Sequence, residues 1–186
     1  MKPVSESALI VVDVQRGFAD PKWGRRDRPE CEANIGLLLG AFRRAKRPVV
    51  YVQHDSVEPD SPLRPERPGN ALSDALNESP DLLVRKSVHS AFYGKPDLHA
   101  WLGERGIGAV VVCGVTTNHC CETTARMANN LGYDVYFALD ATHTFDRKGP
   151  DGEVVPAETL ARATAANLHE EFATVTTTAD LVTKLR

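Results

Sequence analysis

Six short apolar runs punctuate the chain, at residues 8–14, 48–53, 82–85, 107–114, 134–139 and 172–176. Each is largely continuous in its hydrophobicity rather than alternating, the pattern of strands covered on both faces. Between the first two, Ile35, Leu38, Leu39 and Phe42 recur at i, i+3, i+4 and i+7 and so line one face of a helix. Lys46, Arg47 and Pro48 mark its end. Helices are also predicted over 96–104, 118–130, 157–169 and 179–185. Strand and helix alternate throughout, which predicts an α/β fold with a parallel sheet between helical layers, formed by residues 1–186 as a single domain.

Two stretches break the rhythm. Residues 56–80 carry Pro59, Pro62, Pro65, Pro68 and Pro80 with Gly69, a composition that resists regular structure. Loops of this length are usually functional, so the segment is expected to serve as a pocket lid or a subunit contact, with Arg64 and Arg67 suited to salt bridges across an interface or, as the weaker reading, to binding an acidic substrate. Residues 146–153, DRKGPDGE, read as a turn cluster after the fifth strand.

Composition narrows the partners. At 42% apolar, 186 residues supply a core without disulfide or metal staples. Twenty-two Lys and Arg against 25 Asp and Glu give a formal charge of −3, so no basic field favours nucleic acid or an anionic membrane. No run approaches the ~18 apolar residues of a membrane helix, and the reading is of a soluble, cytoplasmic protein. Cys31, Cys113, Cys120 and Cys121 lack the spacing of a disulfide framework or a zinc site, and free thiols are expected. Cys113 and Cys121 read as small core residues.

In an open parallel sheet, ligands bind beyond the carboxyl ends of the strands. Three of those ends hold reactive groups. Asp13 lies late in ALIVVDVQ, where a buried carboxylate requires a partner. Lys86 closes the third run and could hold Asp13 ionised. Cys120 falls in VVVCGVTTNHCCETTAR, just after the fourth strand. With Asn118 as helix cap, Cys120 would sit in the first helical turn, where the dipole is expected to lower the thiol pKa. Together the three form an activated-nucleophile set.

The segments DVQRGF (13–18), RKSVHSAF (85–92) and GVTTNHCCETTAR (114–126), in this order and spacing, resemble those of the isochorismatase-like cysteine hydrolases, which include nicotinamidases and N-carbamoylsarcosine amidases. The resemblance implies a three-layer α/β/α Rossmann-like fold with a six-stranded parallel sheet of order 3-2-1-4-5-6. It implies Cys120 as nucleophile, Asp13 as proton carrier and Lys86 as orienting cation. It also implies an oxyanion hole from the Thr116 and Cys120 amides, and a cis peptide between Val115 and Thr116. Gln15, Phe18, Trp23, Phe92 and Tyr93 match loops facing the site, with His54 and His119 able to contact substrate.

Nicotinamidases of this family hold a metal with an Asp and His cluster after the second strand. The corresponding VQHDSVEPDSP offers only His54 and Asp55, so neither metal nor other cofactor is expected. The implied activity is cysteine-dependent hydrolysis of a small-molecule amide-type C–N bond (carboxamide, ureide, cyclic amide or hydrazide) through a thioester, by a homodimer or homotetramer. The alternatives are vinyl ether hydrolysis of the isochorismatase type, which needs no cysteine, and a catalytically silent binding protein.

Overall fold

The computed structural model describes residues 2–185. Its main sheet contains β1 (Ala8–Val12), β2 (Val49–His54), β3 (Leu82–Lys86), β4 (Ala109–Val115), β5 (Asp134–His143) and β8 (Thr174–Thr176). These six strands are parallel and lie in the order 3-2-1-4-5-8. This is the order that the family resemblance implies. The number of the last strand changes because β6 (Arg147–Lys148) and β7 (Val154–Val155) form a separate antiparallel ribbon from the predicted turn cluster.

Alternation along each strand divides the core in two. In β1, Leu9 and Val11 face one cluster while Ala8, Ile10 and Val12 face the other. The first layer packs α1 (Cys31–Arg44) and α5 (Thr178–Lys184) against the sheet, and the predicted Ile35, Leu38, Leu39 and Phe42 are all buried there. The second holds α2 (Leu98–Glu104), α3 (Glu122–Asn130) and α4 (Ala157–Leu168), through residues such as Leu98, Leu102, Ala125 and Leu168. The four cysteines are free and buried, Cys113 in one core and Cys121 in the other.

Two expectations are corrected at the strand ends. The first strand stops at Val12 rather than Val14, because Asp13 adopts a left-handed backbone with φ 51°. Aspartate is among the few residues that tolerate this region. Asn118 does not cap the following helix. A π-helical turn (Thr117–Cys121) opens one residue earlier, closed by the Cys121 N–H donating to the Thr116 carbonyl at 3.2 Å, and α3 continues from it. The Asn118 side chain instead accepts the Thr144 hydroxyl at 2.5 Å.

The proline-rich excursion packs on its own chain through a buried asparagine. Asn70 donates to the His54 and Leu63 carbonyls and to Asp55, and accepts from Gln53 and Gln15. Gly69 meets Gly17 so closely that a Cβ on Gly69 would lie 2.9 Å from the Gly17 Cα. Arg64 pairs locally with Glu66, and Arg67 donates to the Pro59 and Asp60 carbonyls.

Candidate active site

The strand order reverses between β1 and β4, and the carboxyl ends there form the crevice where open sheets bind ligands. Glycine makes the reversal tight. Gly114 has φ 122°, and a Cβ on it would lie 2.1 Å from the Val12 carbonyl oxygen, so no other residue fits. The backbone then leaves β4 through a cis peptide between Val115 and Thr116. The π-helical turn that follows delivers Cys120 to the end of β1, beside Asp13.

Asp13, Lys86 and Cys120 converge there. Lys86 Nζ donates to Asp13 Oδ2 at 2.7 Å and to Cys120 Sγ at 3.4 Å, and it lies 3.2 Å from His54 Nδ1. Both side chains of the ion pair are fully buried. The three ammonium protons are thereby matched to three acceptors. Asp13 Oδ1, by contrast, has no hydrogen-bond partner among the described residues. A buried carboxylate oxygen without a donor is rare enough to require a role.

Charge and burial compete at each group. Burial pulls the Lys86 ammonium down, but Asp13 and Cys120 beside it outweigh that and leave its pKa raised. Burial pushes the Cys120 thiol well above its ordinary value, and the Asp13 carboxylate adds to this more than Lys86 relieves it. The helix-start effect expected from the sequence is therefore overturned: the resting sulfur is a thiol. Burial and the Lys86 charge lower His54, which keeps the ring neutral and able to accept from Lys86.

A cavity of about 340 Å³ opens over this set, near the lower end of the ~300–1,000 Å³ typical of small-molecule sites. Phe18 and Trp23 form one wall with Phe145, their ring centroids 5.3 to 6.3 Å apart. His54, His119 and Thr116 also face the cavity. Leu63 brings the proline-rich excursion to its rim, so this segment acts as a wall of the chain's own pocket. The Thr116 N–H, just outside the π-helical turn, has no acceptor among the described residues.

Three expected wall residues are placed elsewhere. Gln15 is a buried brace that donates to the His54 and Asn70 carbonyls and accepts the His54 N–H at 2.9 Å. Phe92 stacks on Tyr133 at 5.7 Å, against the second core. Tyr93 is 68% exposed and lines no part of the cavity. Conversely, His89, Thr144, Phe145 and Arg147 line it without having been singled out. His89 belongs to the RKSVHSAF segment, and its Nδ1 is 3.6 Å from Cys120 Sγ. Only the β5 turn brings the other three into range.

The residues present do not fit a metal ion. One ligand atom each from Asp13, His54 and Cys120 lies within 4.8 Å of the others, but all three side chains also contact Lys86 Nζ at 2.7 to 3.4 Å, a fixed positive charge that a second cation would have to oppose. Asp55, the other acid of that segment, is held by the Arg85 guanidinium at 2.7 and 2.9 Å and by Asn70.

Fold and site together define a class: a doubly wound α/β domain with a buried cysteine, carboxylate and ammonium at its topological switch. The isochorismatase domain family matches residues 7–180, and the chain belongs to that family. It is 38% identical to the isochorismatase family protein YrdC of Bacillus subtilis over 178 residues, 95% of each chain. It is 34% identical to nicotinamidase 3 of Arabidopsis thaliana over 181 residues, 90% of this chain and 82% of that one. A solved isochorismatase-family hydrolase structure from Chromobacterium violaceum superposes with a TM-score of 0.91 at 35% identity, covering 100% of this chain and 98% of the other. Among the described residues, no helix is long and apolar enough to cross a membrane.

Proposed function

We propose that this protein hydrolyses an amide-type C–N bond of a small molecule through a thioester on Cys120. The observation that carries the reading is the buried Lys86 ammonium donating to both the Asp13 carboxylate and the Cys120 sulfur beneath a cavity of substrate size. The nicotinamidase relative, by name an amide hydrolase, supports it.

The chemistry follows from which lone pairs are free. Asp13 Oδ1, with no donor of its own, accepts the thiol proton as Sγ attacks the carbonyl carbon. The thiol need not ionise beforehand, since proton transfer and attack can be concerted. The new oxyanion meets the Thr116 and Cys120 N–H groups, donors typically worth ~2.7 to 4 kcal/mol each in such a role. Asp13 then returns its proton to the nitrogen as the C–N bond breaks. In the second half, Asp13 deprotonates a water that attacks the thioester; the C–S bond breaks and the sulfur recovers the proton. Lys86, hydrogen-bonded to both groups, orients Asp13 and stabilises the charge that develops on sulfur.

An ammonia-release screen over small carboxamides, with Cys120→Ala as the blank, tests the reading. Intact-mass detection of an acylated wild-type chain is the expected intermediate. Wild-type turnover by Cys120→Ala would overturn covalent catalysis and favour the cysteine-independent ether cleavage.

A further inference from the structure

One charged group of the cavity is unused by this chemistry. Arg147 opens β6 and lines the cavity with Thr144 and Phe145, yet its guanidinium makes no hydrogen bond or ion pair with any other described residue. The nearby acids are engaged elsewhere. Asp146 and Glu158 are both gripped by Arg25, at 2.6 to 3.0 Å, and Asp146 also accepts the Ala157 N–H. Asp151 accepts the Glu153 N–H within the turn of the ribbon.

The carboxylate of the cavity is already paired. Asp13 is the only carboxylate among its described lining residues, and Lys86 neutralises it at 2.7 Å. Burial lowers His54 and His119, so both rings are uncharged near neutral pH. Arg147 is thus an unpaired cation on the cavity wall, beside the aromatic rings of Phe18, Trp23 and Phe145. A guanidinium in such a place matches the bidentate geometry of a carboxylate.

We propose that the substrate is an amide bearing a carboxylate, which Arg147 binds while the scissile carbonyl lies over Cys120. This rests on the amide-hydrolase reading and narrows it to anionic amides. The aromatic wall of Phe18, Trp23 and Phe145 then packs the carbon chain between the two polar ends. Because Arg147 lies on an exposed ribbon rather than in either core, replacing it leaves the fold's packing untouched.

The test compares succinamate and glutaramate with 4-oxopentanamide and 5-oxohexanamide, neutral isosteres in which a methyl ketone replaces the carboxylate. For the wild type, kcat/KM should favour the better carboxylate by at least about tenfold, the discrimination of one charge-assisted contact. That preference should disappear in Arg147→Met, chiefly through KM, be partly kept in Arg147→Lys, and shrink with added salt. Turnover of these amides without a charge preference, or an equal loss on both series in Arg147→Met, would overturn the proposal and leave amide hydrolysis standing. Calorimetric binding to the Cys120→Ala protein separates the two claims if no turnover is seen. Carboxylates bound by Cys120→Ala but not by Cys120→Ala/Arg147→Met would support the proposal without hydrolysis. Absence of carboxylate binding in both would overturn it.

Discussion

The two ends of the central sheet carry similar charges and do different things with them. At the amino end, Arg43, Arg47, Arg105 and Asp81 line a cleft of about 400 Å³, somewhat larger than the cavity at the carboxyl end. There Arg43 pairs with Asp81 at 2.7 Å, the side chains 28% and 43% exposed, and Arg47 donates to the Ser7 and Glu6 carbonyls. Every one of these contacts ties one segment of chain to another. At the carboxyl end, the Lys86–Asp13 pair has the same 2.7 Å separation but no exposure, and it leaves a carboxylate oxygen free. The separation of the charges is equal; water is the difference. Exposed pairs are worth little and are screened, whereas a buried pair fixes charge in place and punishes the loss of either member.

That contrast can be broken most sharply at the nucleophile. Cys120→Ala should abolish turnover while circular dichroism and thermal unfolding stay close to wild type, because a methyl fills most of the thiol's space. Cys120→Ser should be nearly as inactive, its hydroxyl being far harder to deprotonate by a carboxylate. Next in size is Asp13→Asn, which removes the proton carrier and should lower kcat ~100- to 10,000-fold, with substrate binding retained in calorimetry.

Removing the cation tests stability rather than rate. Lys86→Ala strands the Asp13 carboxylate and should cost about 3 to 5 kcal/mol in urea unfolding, while Arg43→Ala at the opposite end should cost no more than about 1 kcal/mol. Equal losses would mean that burial does not separate the two ends.

Acid should also weaken the fold. His143 ends β5 behind the site, and burial, aided by Arg26, lowers its pKa to about 4. The unfolded imidazole takes its proton near 6.5, so the stability this group contributes is present above that pH and is lost as pH falls toward 4, by about 3 kcal/mol. His143→Gln should flatten this part of the pH–stability curve by close to one proton. An unchanged slope would assign the acid lability to another group.

The sheet was legible because periodicity is local. Continuous runs such as residues 107–114 and the 35–38–39–42 spacing record burial directly, and six strands with helices between them leave few topologies. Asp13, Lys86 and Cys120 were legible for a related reason, since each ends a strand or follows one. What could not be read depends on distant chain. Leu63, Phe145 and Arg147 reach the cavity only through how long segments fold back. Gln15, adjacent in sequence to the site, was drawn inward by Asn70, 55 residues away. The protonation of Cys120 depends on its burial and on the Asp13 carboxylate beside it, both of which raise the thiol and neither of which a helix-start position reveals.

A sulfur kept as a thiol is also a sulfur kept safe. Peroxide and alkylating agents attack the thiolate, so a resting Cys120 holding its proton should react far more slowly than the sensor cysteines that stand ionised on protein surfaces. The hazard is then confined to the moment when a substrate covers the mouth of the cavity and the proton passes to Asp13. Oxidative inactivation of this protein should therefore depend on catalytic traffic more than on time spent in an oxidising medium, and an idle sample should outlast a working one.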